Sequence, residues 1–135
     1  MRVTRLDHFG VDVADLARAE RFYSEVLGMS VMMRLPDQVL MKHGDGNCAL
    51  FLRPGRPPGD PAQIAAPLGK PHHAFEVSWS DLEAAPARFH AAGIPFHPRI
   101  DWGDHDCLYF LDPDGNLLEI VGYRSPGARA HGEDG

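Results

Sequence analysis

The chain has 135 residues, 44% of them hydrophobic and 24% charged, with a formal net charge of -6. That size suits one globular domain whose core needs no covalent staples. The acidic balance and the lack of any Lys/Arg run exclude a nucleic-acid partner, and no apolar stretch nears the roughly 20 residues of a membrane helix.

The N-terminus, Met-Arg-Val-Thr-Arg-Leu-Asp-His, lacks the apolar segment of a secretory signal. Cys48 and Cys107 are too few for a disulfide framework, so both are expected reduced in a cytoplasmic protein. The first predicted strand is His8-Phe9-Gly10-Val11-Asp12-Val13. Alternation sets His8, Gly10 and Asp12 on one face and Phe9, Val11 and Val13 on the other. A helix is predicted over Leu16 to Leu27, capped by Asp15 and stopped by Gly28, with Leu16, Ala19, Phe22, Tyr23, Val26 and Leu27 as its apolar stripe. A strand near Ser30 to Arg34 follows, then a hairpin from Val39 to Leu52. Residues 53–71 hold six prolines and three glycines, which predicts a semi-rigid linker without regular structure.

The pattern then repeats. His72-His73-Ala74-Phe75-Glu76-Val77 aligns without gaps on His8 to Val13, so His72, Ala74 and Glu76 share a face and His73, Phe75 and Val77 take the other. A helix is predicted over Leu82 to Ala92, capped by Asp81 or Ser80, with Pro86 near its first turn and Gly93 as its stop. A strand near Pro95 to Ile100 precedes a second hairpin, Leu108 to Val121, built round Asp112-Pro113-Asp114-Gly115-Asn116. This tight turn requires positive φ at Gly115. The tail after Tyr123 is small and polar, and 125–135 are expected to fray.

Each half therefore reads as strand-helix-strand-strand-strand. Neither half covers its own sheet on both faces, so the two must associate. The fold class is α+β: two paired βαβββ modules, about 4–53 and 72–124, form a cupped mixed sheet with the helices outside, in one domain over 1–124.

Glu119 is a lone carboxylate within Leu-Leu-Glu-Ile-Val, a setting that is costly unless the charge is compensated. His8 and His72 occupy matching positions of the repeat, each with a small residue two places on that leaves space beside the ring. Two imidazoles and one carboxylate suit a divalent first-row metal with open coordination places. His73 falls on the helix-packed face, and His43, His90, His97, His105 and His131 carry no metal role. Aligned on Asp-Gly-Asn, the first-half counterpart of Glu119 is Leu50, or Phe51 with one residue of slippage. Neither can coordinate, so the protein supplies three ligands.

Leu6-Asp7-His8 with Val11-Asp12-Val13, Phe22-Tyr23 before Leu27-Gly28, His72 to Val77, and Tyr109 to Asn116 with Glu119 together resemble the vicinal oxygen chelate superfamily. That group includes glyoxalase I, extradiol dioxygenases, fosfomycin-resistance enzymes and bleomycin-binding proteins. The resemblance covers about residues 4 to 124. It implies a metal centre at His8, His72 and Glu119 holding one Fe(II), Mn(II), Ni(II) or Zn(II), a small substrate with vicinal oxygens, and a homodimer.

The departures from each relative narrow the chemistry. The apolar residue at the fourth ligand place counts against glyoxalase I. The intact ligand set counts against a non-catalytic antibiotic-binding module, which stays an alternative. Gly103 to Cys107 lacks the serine-rich segment common in fosfomycin-resistance thiol transferases, a second alternative beside a lyase. Dioxygenase-like chemistry is favoured by Tyr109, placed to bond a substrate oxygen. The usual nearby histidine is matched only loosely by Trp102 and His105, and His105, expected in a loop, is the candidate proton shuttle.

Overall fold

The computed structural model describes residues 1–125, so the expected frayed tail lies, except for Ser125, outside the described residues. The chain divides into two compact units, Met1–Gly59 and a second beginning at Asp60. Each is a βαβββ module around a four-stranded mixed sheet.

In the first unit the elements are β1 (His8–Val13), α1 (Leu16–Glu25), β2 (Ser30–Leu35), β3 (Gln38–His43) and β4 (Gly46–Leu52), in sheet order β1-β4-β3-β2. The Asp15 side chain caps α1 by accepting from the Arg18 backbone N–H at 3.0 Å. Ala19, Phe22 and Tyr23 of α1 bury against the sheet face that carries Val11, Val13, Val39, Met41, Cys48 and Leu50. His8, Gly10 and Asp12 fall on the opposite face and are exposed. β1 pairs with β4 in parallel and β3 with β4 antiparallel, while β2 shifts register at Met32.

The second unit contains β5 (His73–Glu76), α2 (Trp79–Ala91), β6 (Ile100–Asp101), β7 (His105–Leu111) and β8 (Leu117–Tyr123), in sheet order β5-β8-β7-β6. Leu82, Ala85 and Phe89 of α2 are buried, with Leu108, Phe110, Leu118 and Ile120 on the covered sheet face, and the Phe89 and Phe110 rings lie 4.7 Å apart.

Several sequence expectations need correction. The second helix starts at Trp79 and its cap is Ser78, which accepts from the Asp81 N–H at 3.1 Å. Ser78, Ser80 and Asp81 are all competent caps. The tie is broken by tertiary contacts at Trp79, whose ring lies under the guanidinium groups of Arg99 and Arg124 at 4.8 and 4.9 Å. Pro86 consequently sits inside α2 rather than in its first turn, where it removes one helical donor. The strand expected at Pro95 to Ile100 shrinks to β6 and an isolated bridge between Phe96 and Phe110.

The linker is not wholly irregular, because Pro61–Ala65 forms a 3₁₀ helix capped by Asp60. It belongs to the second unit: Gln63 Nε2 donates to the Gly115 carbonyl at 2.6 Å, and Ile64 packs on Cys107, Tyr109, Leu111 and Leu117.

The two hairpins also differ. His43 pairs with Gly46 across a two-residue turn, whereas Leu111 pairs with Leu117 across five residues. The longer turn is organised by the Asp112 carboxylate, which accepts from the backbone N–H of Asp114 at 2.9 Å and of Asn116 at 2.8 Å, and from Asn116 Nδ2 at 2.8 Å. Gly115 has φ 77, the left-handed conformation that the turn requires.

Candidate metal centre

Register decides which side chains meet in the second unit. Glu119 of β8 pairs with Ala74 of β5 on one side and with Tyr109 of β7 on the other. Directly paired residues share a face, and strand alternation brings His72, just ahead of β5, onto it too. This face turns away from α2. Its neighbours along β7 and β8 are Cys107, Leu111, Leu117 and Val121, with Ile64 packed across them. Glu119 is buried among these apolar groups, a position that demands a compensating charge or donor.

His72 answers that demand. Its Nε2 lies 2.9 Å from Glu119 Oε1, and its Nδ1–H donates to the Lys70 carbonyl at 2.7 Å. The carbonyl is an acceptor only, so it fixes the proton on Nδ1 and leaves Nε2 as the lone-pair nitrogen of the neutral ring. A lone pair facing a carboxylate oxygen is repulsive. A proton shared between the two atoms, or a metal ion held by both, relieves that repulsion. The donor set therefore fits a divalent ion that takes nitrogen and oxygen together.

Tyr109 closes the same site, its ring edge-on to His72 at a 5.1 Å centroid separation. Burial first, then the charges of Glu119 and Cys107, push its hydroxyl up to about 12, so Tyr109 is a neutral donor. Cys107 is likewise pushed up to about 12, chiefly by burial, which rules out a thiolate nucleophile.

The first unit presents His8 in a parallel way. Its Nδ1–H donates to Asp7 Oδ2 at 2.8 Å, and Arg5 holds the other Asp7 oxygen at 3.2 Å. The Asp7 carboxyl lies below the ordinary aspartate value, first because it accepts from His8, with the Arg5 charge adding to this. A carboxylate behind Nδ1 is the usual way of orienting a ligating imidazole, and it leaves Nε2 available. The space expected beside His8 is filled, since a Cβ on Gly10 would lie 2.4 Å from the Phe51 ring. Gly10 is small because Phe51 crosses it.

Register also corrects the first-half counterpart of Glu119. Gly10 pairs with Ala49 as Ala74 pairs with Glu119, so the matching residue is Ala49. Leu50 faces α1 instead. The second turn is one residue longer than the repeat alignment allowed. Ala49 also lacks a ligating atom, so this position offers no further donor.

Within neither unit do three or more His, Cys, Asp or Glu side chains gather to hold a metal, among the described residues. His72, Glu119 and Tyr109 are brought together in the second unit, and His8 is presented by the first. His73 lies on the α2 face opposite Leu118, and burial, then the neighbouring His72, holds its ring below the ordinary histidine value. His105 is in β7 rather than a loop, four residues from Tyr109 on the same face, hence about 13 Å along the strand. Its Nδ1–H donates to Asp104 at 2.6 Å, and its ring centroid lies 6.5 Å from that of Trp102 and 5.0 Å from that of Tyr123.

Sequence reasoning gave no role to Asp7, Ile64 or the Lys70 carbonyl. Asp7 was legible as the acid beside His8. A backbone carbonyl and a linker residue leave no comparable mark.

Comparison with known proteins places this geometry. The pattern of the Glyoxalase/Bleomycin resistance protein/Dioxygenase superfamily matches residues 5–120. The chain is similar to glutathione transferase FosA of Serratia marcescens, with 29% identity over 85% of this chain and 78% of that protein. It is also similar to biphenyl-2,3-diol 1,2-dioxygenase 3 of Rhodococcus globerulus, with 32% identity over 89% of this chain but only 64% of the enzyme. Among solved structures, the fold matches the fosfomycin resistance protein FosX of Listeria monocytogenes at a TM-score of 0.75 and 17% identity, covering 95% and 99% of the two chains. It matches a lactoylglutathione lyase of Agrobacterium tumefaciens at 0.68 and 24%, covering 90% and 96%. Two four-stranded mixed sheets, each with its helix, and the sequence match lead to one conclusion: the chain belongs to the Glyoxalase/Bleomycin resistance protein/Dioxygenase superfamily.

Proposed function

We propose that the chain is a metal-dependent enzyme in which His8, His72 and Glu119 hold one divalent ion, Fe(II), Mn(II), Ni(II) or Zn(II), and which acts on a small substrate bearing two neighbouring oxygens. The observation that carries this reading is the matched presentation of the histidines. Each has Nδ1 tied to an oxygen, Asp7 Oδ2 or the Lys70 carbonyl, so each offers Nε2, and in the second unit Glu119 Oε1 already lies against that nitrogen. A bound ion would supply Lewis acidity to the substrate oxygens.

The protein's own groups do the rest. Tyr109 keeps its proton and donates it in a hydrogen bond to a substrate oxygen beside Glu119. Ile64, Leu111, Leu117 and Val121 line the same face and exclude water, which strengthens every polar contact made there. His105 lies too far along β7 for direct transfer at the atom that Tyr109 touches, and serves only a part of the substrate reaching the other end of the sheet.

Dioxygenase-like chemistry is favoured by Tyr109 as a neutral donor beside the carboxylate. A thiol transferase or lyase is the second reading, supported by the 29% identity to FosA over 85% of this chain. We further propose a cytoplasmic homodimer. No helix among the described residues is long and apolar enough to cross a membrane.

Elemental analysis of the purified protein tests the metal, with about one ion per chain expected. Oxygen uptake across a catechol panel, set against thiol consumption with fosfomycin or methylglyoxal, separates the two chemistries. A metal-free protein that binds an apolar antibiotic without turnover would instead indicate a sequestering module.

A further inference from the structure

His8 and His72 occupy matching places in the repeat, yet they are held by different means. His8 lies within β1, where it pairs with Asn47, and its Nδ1–H is met by the Asp7 side chain. His72 stands one residue ahead of β5, whose paired register with β8 opens at His73 and Leu118. The partner of its Nδ1–H is a backbone carbonyl, that of Lys70, at 2.7 Å. A carbonyl can direct a ring only if the chain that carries it is fixed.

The run Pro67-Leu68-Gly69-Lys70-Pro71-His72 fixes it. Pro67 is fully buried, and its carbonyl accepts from the Lys70 backbone N–H at 3.3 Å, closing a tight turn. Gly69, the third residue of that turn, has φ 83, the conformation that a type II turn needs there and that side chains disfavour. Pro71 locks its own φ and confines Lys70 before it to extended conformations. Few backbone rotations therefore remain between the turn and the His72 ring. Lys70 Nζ donates to the Ala66 carbonyl at the exposed surface, a contact separate from the one that meets His72. A Cβ at Gly69 would meet nothing within 4 Å, so a substitution there acts through backbone conformation alone.

We infer that Gly69 and Pro71 are positioning residues for His72: the turn they shape holds the Lys70 carbonyl where it aims the ring, and with it Nε2, at Glu119. The inference takes His72 as a metal ligand from the reading above, but the orientation of the ring is measurable without a metal. Groups that orient a metal ligand are typically worth about 10–100-fold in metal affinity.

The test uses the full chain and two readouts. In the metal-free protein, nuclear Overhauser contacts are expected between the ring protons of His72 and Tyr109, whose centroids lie 5.1 Å apart. The His72 signals are assigned by their loss in His72→Gln. The contacts should weaken in Gly69→Ala and in Pro71→Ala and recover in Gly69→Asn, because asparagine tolerates positive φ. In titrations with Zn(II) and Mn(II), at a temperature where every variant is folded, Gly69→Ala and Pro71→Ala should each weaken binding about tenfold. Gly69→Asn and Lys70→Met, which leave the carbonyl in place, should lose clearly less. Overhauser contacts unchanged in both Gly69→Ala and Pro71→Ala overturn the inference. So does a loss of affinity in Gly69→Asn or in Lys70→Met equal to that in Gly69→Ala. If the unsubstituted protein binds neither ion, the metal reading fails, and the Overhauser contacts alone decide whether the turn aims His72.

Discussion

The two units share one frame and treat the same position differently. In the first, β1 sets His8 on an exposed face, anchors it through Asp7, and offers Ala49 at the register where an acid would stand. In the second, the matching register holds Glu119, buried and in contact with His72, with Tyr109 across the ladder. The second unit is thus a polar site enclosed by apolar groups, and the first is an imidazole presented from a mostly structural sheet. A repeated backbone fixes where a side chain can point, and a single difference at matched register, alanine against glutamate, decides whether a carboxylate stands there.

Breaking the contrast at its centre should have the largest effect. Glu119→Ala and His72→Ala should each reduce Zn(II) or Mn(II) affinity by more than the roughly 100-fold upper range of an indirect positioning effect. His73→Ala, on the α2 face, should leave affinity nearly intact. Titration of the purified variants checks this, and loss in His73→Ala with retention in His72→Ala would reverse the assignment.

The turns separate the units next. Asp112→Ala removes the acceptor of three hydrogen bonds that has no counterpart in the short first turn. At about 1 kcal/mol each, the expected cost is about 2–3 kcal/mol in urea unfolding. Gly10→Ala drives a Cβ into the Phe51 ring at 2.4 Å and should cost about 1–3 kcal/mol. Adding Phe51→Leu should recover much of that loss if the ring is the cause.

The enclosed character of the second unit predicts sensitivity to alkali. Tyr109 and Cys107 are both pushed up to about 12 in the folded protein. Between their ordinary values and that value the unfolded chain has released these protons and the folded chain has not. Stability should therefore fall as pH rises from about 9 toward 12. Tyr109→Phe should flatten part of that decline, as measured by denaturation midpoints across the range.

The smallest effect belongs to the first unit. Asp7 lies below the ordinary aspartate value, so its contribution is present above that value and is lost as pH falls through the lower folded one. Because the pair is exposed, Asp7→Asn should change acid stability only slightly. If His8 is a ligand, however, the same change should be visible in metal affinity.

Much of this was legible in the chain. The repeat of His8 to Val13 in His72 to Val77 gave two modules, and Asp112 to Asn116 marked the second turn, because alternation and glycine-dependent turns are local properties. Bringing His72 and Glu119 together, with Tyr109 as a candidate beside them, rested on the repeat and the resemblance, and the shared face itself follows from the strand register. What was not legible depended on distant partners. Asp81 and Ser80 were offered as caps, but the helix starts earlier, at Trp79 behind Ser78, with the Trp79 ring beneath two arginines, and the apparent match at Asp-Gly-Asn concealed an extra residue that moved the counterpart of Glu119 from Leu50 to Ala49. His105 looked like a loop residue because Gly103 and two acids surround it, yet its backbone pairs with Tyr123.

The short 3₁₀ helix at Pro61–Ala65 carries a practical consequence for anyone recombining these halves. Composition alone would place the crossover just before His72, at the end of the proline-rich stretch. The seam lies instead at Gly59–Asp60, and a chimera joined at His72 would carry a foreign cover where Gln63 and Ile64 belong, over the very strands that present Tyr109 and Glu119. Swapping the segment from Asp60 onward as a block keeps that cover with the strands it was made for.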